Sequence, residues 1–314
     1  MAEAEHVVDV MGTRAHVIVV ARTPSTAELL ATSAVARLHE LEGKWSRFLA
    51  DSELSRLNAS AGSTVRVSRD VELLVERSVE AWHRTDGRFD PTVLRALVAA
   101  GYDDDFRTVA ARRDSTSATD AAAAPGCADI PIGPDGVTLP LGTAIDPGGI
   151  GKGLAADLTL DLVMTGGATG ACINVGGDLR VAGTTATGRA WSVAVEHPLT
   201  PALIIAEVEL HDEALVSTWR TRRVWGAADD RRHHLIDPAT GTSAWNGLAG
   251  VTVTAAEGWW AEALATAIFL AGPDDAPALA RRHGAGAILV RDDGSLLGIG
   301  ALRDVVGRAV KAGR

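Results

Sequence analysis

The chain has 314 residues, enough to bury a sizeable core in one large domain or two closely packed ones. Hydrophobic residues make up 46 % and charged residues 22 %, which excludes a disordered or fibrous polypeptide. A formal charge of −10, from 40 acidic and 30 basic residues, argues against a general nucleic-acid binder, which needs a dense basic surface to neutralise phosphates.

No stretch of apolar residues reaches the length needed to cross a bilayer. The opening "MAEAEHVVDVMGTRAHVIVV" has acidic residues where a signal peptide has basic ones, and no small-residue cleavage site. The expectation is a cytoplasmic protein without membrane insertion. Cys127 and Cys172 lack metal-ligand spacing, so they are expected to be a loop thiol and a buried small hydrophobe.

Residues 15–21, "AHVIVVA", are β-branched and apolar enough for a core strand, and residues 23–48 follow with helical periodicity. Thr23 or Ser25 serves as the expected N-cap and Gly43 as the stop. A second helix is expected over 68–85, with Val71, Leu73, Leu74, Val79 and Trp82 on its apolar face. Residues 107–130 are small, polar and low in complexity, the composition of a variable surface loop. Leu154, Leu158 and Leu162 then mark a helix to about residue 164. "ACINV" (171–175), "ALIIAEVEL" (202–210) and "GLAGVTVTA" (247–255) are strand candidates. Residues 258–272 make a strong helix, and a last α/β unit runs through 286–290 and 296–302. Strands and helices in this order suggest a mixed α/β or α+β architecture.

The stretch "AIDPGGIGKGLAAD", residues 144–157, sets four glycines and one of only three lysines in front of a helix. It is not a P-loop: GxxxxGK[ST] would need glycine at Asp146 and Ser or Thr at Gly153. Nor is it a dinucleotide fingerprint, whose third glycine would fall on Leu154. What remains is a carboxylate, a backbone open to close approach, a cation and a helix N-terminus that favours anions. Ligand binding and a plain turn-forming loop both stay open on these residues.

"HHLIDPATG" (233–241) places His234 beside an Asp-Pro turn, where it is either a general base or a hydrogen-bonded structural residue. In "AEALATA" Glu262 and Thr266 stand four apart on one helix face. Their oxygens suit Mg2+, although an exposed glutamate and a threonine bonded back to its helix would look the same.

The order of these motifs resembles the ApbE-type FAD:protein FMN transferases, also known as thiamine biosynthesis lipoproteins. The resemblance covers nearly the whole chain: "MGT" (11–13), "WSRFLADSELSRLN" (45–58), "DGRFDPTV" (86–93), "GYDDDF" (101–106), the glycine loop, "INVGGDLRVAG" (173–183), "HHLIDPATG" and "AEALATAIFLAG" (261–272). It implies a single ApbE-like domain over 1–314, built of two intimately packed α/β subdomains with the FAD site between them. It implies Mg2+-dependent transfer of FMN from FAD to a Thr or Ser hydroxyl of an acceptor flavoprotein, with FAD hydrolysis or FAD binding without catalysis as alternatives. His234 is then the base, and Glu262, Thr266 and the Gly149 carbonyl, with Gly151 as its rival, are the metal ligands. Asp146 and Lys152 contact FAD. Met11, Phe48 and the turn of Gly101, Tyr102 and Asp103 hold the flavin end, while Asn174, Gly176 and Gly177 lie beside the nucleotide. The chain departs from the family pattern at Pro147, Trp219, Phe48 and Glu262, the last in place of the usual Asp.

Overall fold

The computed structural model describes residues 1–112, 122–227 and 230–306. They fall into two compact units. One comprises Met1–Glu42, Lys152–Trp219 and the residues from Gly247 on, and the other Gly43–Gly151 and Arg220–Asn246.

The first unit is built on an eight-stranded sheet, in the order Ala2–Val10, Thr13–Ala21, Gly170–Val175, Asp178–Gly183, Ala214–Trp219, Leu248–Ala255, Gly286–Arg291 and Leu296–Ile299. Every neighbouring pair is antiparallel. The expected closing α/β unit is therefore an antiparallel hairpin, and the architecture is α+β. The strand Ala2–Val10 has no counterpart in the sequence expectations. Its exposed positions, Glu3, Glu5, Val7 and Asp9, alternate with half-buried or buried ones as at a sheet edge, and the three acids discourage edge-to-edge pairing.

The strand Leu248–Ala255 is buried at seven consecutive positions, so both faces of the sheet are covered there. The helix Gly258–Arg282 packs on this strand and on Ala214–Trp219 and Gly286–Arg291. A separate hairpin, Trp191–His197 with Thr200–Leu210, supplies Trp191, Val195, Ile205 and Val208 to a core cluster with Leu179, Leu215, Ile288 and Val290. The long helix breaks at Gly272 (φ 74°, ψ 171°), followed by Pro273, which matches the expected end at 272, and the chain then resumes helical structure.

Three helix expectations need correction. The first helix runs over Pro24–Trp45, capped by Thr23, which accepts the Thr26 N–H at 3.2 Å. It passes through Gly43 because burial of Trp45, 2 % exposed, outweighs a glycine's weak preference against helix. In Gly151–Thr165 the buried side is Leu154, Ala155, Ala156, Thr159, Leu160 and Val163, whereas Leu162 is exposed. An apolar repeat of exactly four drifts off one face of a helix with 3.6 residues per turn. The helix Arg69–Arg84 buries Val71, Leu74, Val75, Ser78 and Ala81, with Leu73, Val79 and Trp82 at its margins.

The second unit contains the helices Glu53–Ala59, Arg69–Arg84, Leu94–Ala99 and Phe106–Ala111 and several two- and three-stranded pieces. The helix Phe106–Ala111 takes up the start of the expected variable loop, and residues 113–121 of that loop lie outside the described residues. Cys127 is the loop thiol and Cys172, in the strand Gly170–Val175, packs against the core, but the loop thiol is the more buried of the two. "DGRFDPTV" does a structural job. The carboxylate of Asp90 accepts the Thr92 N–H (2.8 Å), the Thr92 hydroxyl (2.5 Å) and the Trp82 Nε1–H (3.1 Å), tying the turn Pro91–Val93 to the preceding helix. Burial raises the Asp90 pKa against these bonds.

In the first unit, Asp157 accepts the N–H groups of Gly258 (2.8 Å) and Trp259 (2.9 Å), capping the long helix from a neighbouring one. Burial nevertheless pushes its pKa from 3.8 up to about 6. A carboxyl with a raised folded pKa favours the folded state below its unfolded pKa, and that contribution is lost as pH rises through about 6. Asp157→Asn is therefore expected to lose a cap bond, worth about 1 kcal/mol, and to flatten the decline in stability between pH 4 and 6. Urea unfolding of both proteins across that range checks it. An unchanged pH slope in the variant would contradict the assignment.

Candidate active site

In the sheet unit, the first turn of Gly151–Thr165 lies backbone to backbone against the start of the long helix. A Cβ on Gly153 would stand 2.2 Å from the Gly258 carbonyl oxygen, so only glycine permits the approach. The approach lets the Gly153 N–H donate to Glu262 Oε2 at 2.8 Å. Beside it, Lys152 Nζ donates to Glu262 Oε1 at 2.9 Å and to Asp178. Both carboxylates are buried, Asp178 at 2 % and Glu262 at 3 % exposed. Thr266 is half-buried one turn further along the same helix. The structure thus brings Lys152, Glu262 and Thr266 onto one locus and adds Asp178, which the sequence offered only as the end of the stretch 174–178.

Asp178 is placed by a two-residue turn. Gly176 and Gly177 (φ 69° and 102°) join Val175 to Asp178, and Asn174 Oδ1 accepts the Gly177 N–H at 2.8 Å. A second such turn, Met11 and Gly12 (φ 54° and 65°), joins Val10 to Thr13. The two are neighbours: Gly176 N–H donates to the Arg14 carbonyl at 3.1 Å, and a Cβ on Gly176 would meet Thr13 Oγ1 at 2.4 Å. Met11, a non-glycine at positive φ, has its N–H held by Glu42 at 2.6 Å. Met11, Asn174, Gly176 and Gly177 therefore share one end of the sheet with Asp178.

In the other unit Asp146 is committed to a partner. Its Oδ1 pairs with Arg47 Nε at 2.9 Å and its Oδ2 accepts the Gly148 N–H at 3.2 Å. Arg47 also donates to the Tyr102 carbonyl at 3.0 Å, and its guanidinium lies 4.2 Å from the Phe48 ring centroid and 4.6 Å from that of Tyr102. The Tyr102 ring is buried against Trp225 and Phe106, and Arg223 Nη1 donates to its hydroxyl at 2.9 Å. Burial raises the Tyr102 pKa, so the hydroxyl stays protonated at neutral pH. Phe48 remains 41 % exposed. Gly101 sits at φ 93°, and Asp103 pairs with Arg112 at the surface.

The loop after Asp146 is tight. The carbonyl of Pro147 accepts the N–H groups of Gly149 (3.0 Å), Ile150 (3.2 Å) and Gly151 (2.8 Å), so the unusual proline leads straight into the helix. The paired histidines divide their work. His233 is fully buried, its Nε2 on the Ala244 carbonyl at 3.1 Å and its Nδ1 accepting the Leu235 N–H at 3.3 Å. His234 is half-buried, with Nδ1 3.4 Å from the Arg223 carbonyl. A carbonyl only accepts, so this contact puts the proton on Nδ1 and the lone pair on Nε2.

Arg47 and Asp178 had no sequence signal beyond lying within the motifs at 45–58 and 173–183, and Arg223 had none. Arginines are common at surfaces, and only their pairing in space marks these two. Trp219 ends its strand and packs over Gly250, where a Cβ would stand 2.7 Å from the indole.

No group of three or more His, Cys, Asp or Glu side chains is placed to hold a metal among the described residues. Glu262 and Thr266 nevertheless fit a hard cation. Mg2+ takes one or two carboxylates and fills its other positions with hydroxyl, carbonyl, water or phosphate oxygens. The stacked Arg47, Phe48, Tyr102 and Arg223 suit a planar, anionic ligand.

A family model described as "ApbE family" matches residues 11–289. A protein of Rhodobacter capsulatus named FAD:protein FMN transferase is 30 % identical over 274 residues, 85 % of this chain and 51 % of the relative. The chain thus spans about half the length of that relative. A protein of the same name from Haemophilus influenzae is 25 % identical over 85 % of this chain and 79 % of the relative. Among solved structures, the ApbE protein of Thermotoga maritima matches with TM-score 0.84 and 24 % identity, covering 96 % of this chain and 99 % of that one. The apo flavinyl transferase ApbE of Pseudomonas stutzeri matches with TM-score 0.81 and 24 % identity, covering 97 % of each chain. These last two likenesses establish the fold.

Arg47→Ala leaves the carboxylate of Asp146 buried without its cation and is expected to destabilise the protein by about 3–5 kcal/mol, while Arg47→Met with Asp146→Asn recovers most of it. Denaturant unfolding of the set checks this, and a double variant as unstable as the single one would refute it. Burial lowers the His233 pKa from 6.5 to about 4. Its contribution is then present above pH 6.5 and lost as pH falls towards 4. Thermal melts of His233→Gln should show a weaker acid-side decline than the wild type, and equal slopes would rule this origin out.

Proposed function

Because the chain belongs to the ApbE family, we propose that it is a Mg2+-dependent FAD:protein FMN transferase. A Thr or Ser hydroxyl of an acceptor flavoprotein attacks the FMN phosphorus of FAD. The new O–P bond forms as the pyrophosphate P–O bond breaks, the hydroxyl proton passes to a base, and AMP leaves. The curated relatives share the name of this activity, and the acceptor residue, AMP release and Mg2+ requirement belong to the proposal.

The observation that carries the reading is the buried cluster of Lys152, Asp178 and Glu262 at the start of Gly151–Thr165. An ammonium held between two carboxylates and a helix N-terminus are groups that receive phosphate charge. Glu262 and Thr266 would hold Mg2+, and the resemblance adds the Gly149 carbonyl as a third ligand. Mg2+, when bound, neutralises pyrophosphate charge. His234 takes the hydroxyl proton on Nε2, with its Nδ1–H kept on the Arg223 carbonyl. Asp146 acts through Arg47, which it orients against Phe48 and Tyr102; the resemblance assigns Phe48, Gly101, Tyr102 and Asp103, and in the other unit Met11, to holding the flavin. Asn174, Gly176 and Gly177 line the nucleotide end.

Incubation with FAD, Mg2+ and a flavin-acceptor domain should leave fluorescence on the acceptor after denaturation. Free FMN and AMP formed equally well without acceptor would instead make the protein a pyrophosphatase. Intact FAD under all conditions would make it a binding protein. His234→Ala is expected to lower transfer by about 10²–10⁴-fold while FAD affinity stays within a few-fold, since a base acts on the transition state. Loss of FAD binding along with activity would make His234 a ligand contact instead.

A further inference from the structure

We propose that Lys152 is a built-in competitor for the divalent-cation site and that Asp178 is the positioning residue that sets how strongly it competes. The proposal rests on Glu262 being the metal ligand of the transferase reading above.

Three observations lead to it. Both oxygens of Glu262 are already occupied, Oε1 by Lys152 Nζ (2.9 Å) and Oε2 by the Gly153 N–H (2.8 Å). Of these two donors only the ammonium sits on a flexible stem, and the Lys152 side chain is 25 % exposed while both carboxylates are buried. A cation approaching Glu262 therefore meets an ammonium holding one of its oxygens. Second, the same ammonium is shared with Asp178. One positive charge serves two buried carboxylates, which leaves a net negative charge in a dry environment, an unfavourable state that an added cation relieves. Third, Asp178 has little freedom to leave. It closes the turn of Gly176 and Gly177 in register with Val175, and that turn is backed by Thr13 and Asn174. Asp178 thus draws Lys152 away from Glu262, and without it the whole ammonium charge would fall on the metal ligand.

This arrangement keeps Glu262 buried and partnered before cation and FAD arrive. Such a cluster discriminates by charge: a divalent ion outcompetes one ammonium, and a monovalent ion does not.

The test measures Mn2+ binding to the full chain without FAD, by loss of the free-ion electron paramagnetic resonance signal, with Mg2+ as competitor. Lys152→Met should tighten Mn2+ binding by about tenfold, and Asp178→Asn should weaken it by about tenfold. Lys152→Arg, which keeps the charge, should return affinity to near the wild-type value. In the Lys152→Met background Asp178→Asn should weaken Mn2+ binding by clearly less than it does in the wild type, because the part of its influence that passes through the lysine is gone. Thermal melts without cation confirm that each variant folds. Additive effects of the two substitutions, or no change in Lys152→Met, would overturn the proposal and leave the transferase reading intact. Absence of Mn2+ and Mg2+ binding by the wild type would remove Glu262 as a ligand and overturn both.

Discussion

The backbone contact between Gly153 and Gly258 is the constraint on which the sheet unit's polar cluster depends. Two helices normally keep about 8–10 Å between axes because side chains fill the gap. Here both contact positions lack a Cβ, and the carboxylate of Asp157 caps the long helix across the junction. The close approach turns an ordinary main-chain N–H, that of Gly153, into a partner for Glu262. It also sets Lys152 on the same carboxylate. Glycine at 153 is thus a packing requirement first, and its polar consequences follow from the packing.

The second unit solves a similar problem with a charge pair. Arg47 and Asp146 are nearly buried, and neither would be tolerated there alone. The guanidinium satisfies a carboxylate and a carbonyl in its plane and offers its faces to the Phe48 and Tyr102 rings. Tyr102 in turn rests on Trp225, whose Nε1–H donates to the Ala100 carbonyl at 2.7 Å. The loop containing Asp146 is therefore held by this pair and by the three N–H groups gathered on Pro147.

In this acidic chain positive charge is placed sparingly. Lys44 is tied to Asp70 at 2.6 Å, Lys152 belongs to the carboxylate cluster, and Lys311 lies outside the described residues. Arginine does the remaining work, and its planar fork suits partly buried positions better than an ammonium does. Focused charge in a small polar locus, rather than net charge, governs attraction of a phosphate group.

Local chemistry alone determined a good part of this protein. The β-branched runs at 15–21 and 247–255, the helix opened by the glycine loop, and the break at Gly272 and Pro273 were all legible, because alternation and glycine or proline geometry act over a few residues. The ordered motifs likewise pointed to the family. Periodicity misplaced the buried faces of two helices, and the edge strand Ala2–Val10 was hidden by its charges, because burial is set by what packs opposite. Only the tertiary structure decided that Asp146 belongs to Arg47, that Lys152 is shared between Asp178 and Glu262, and that His233 is structural while His234 stays half-exposed. Those assignments join residues 26 to 110 positions apart, or separate neighbours by a bend, and no spacing rule along a chain reaches so far.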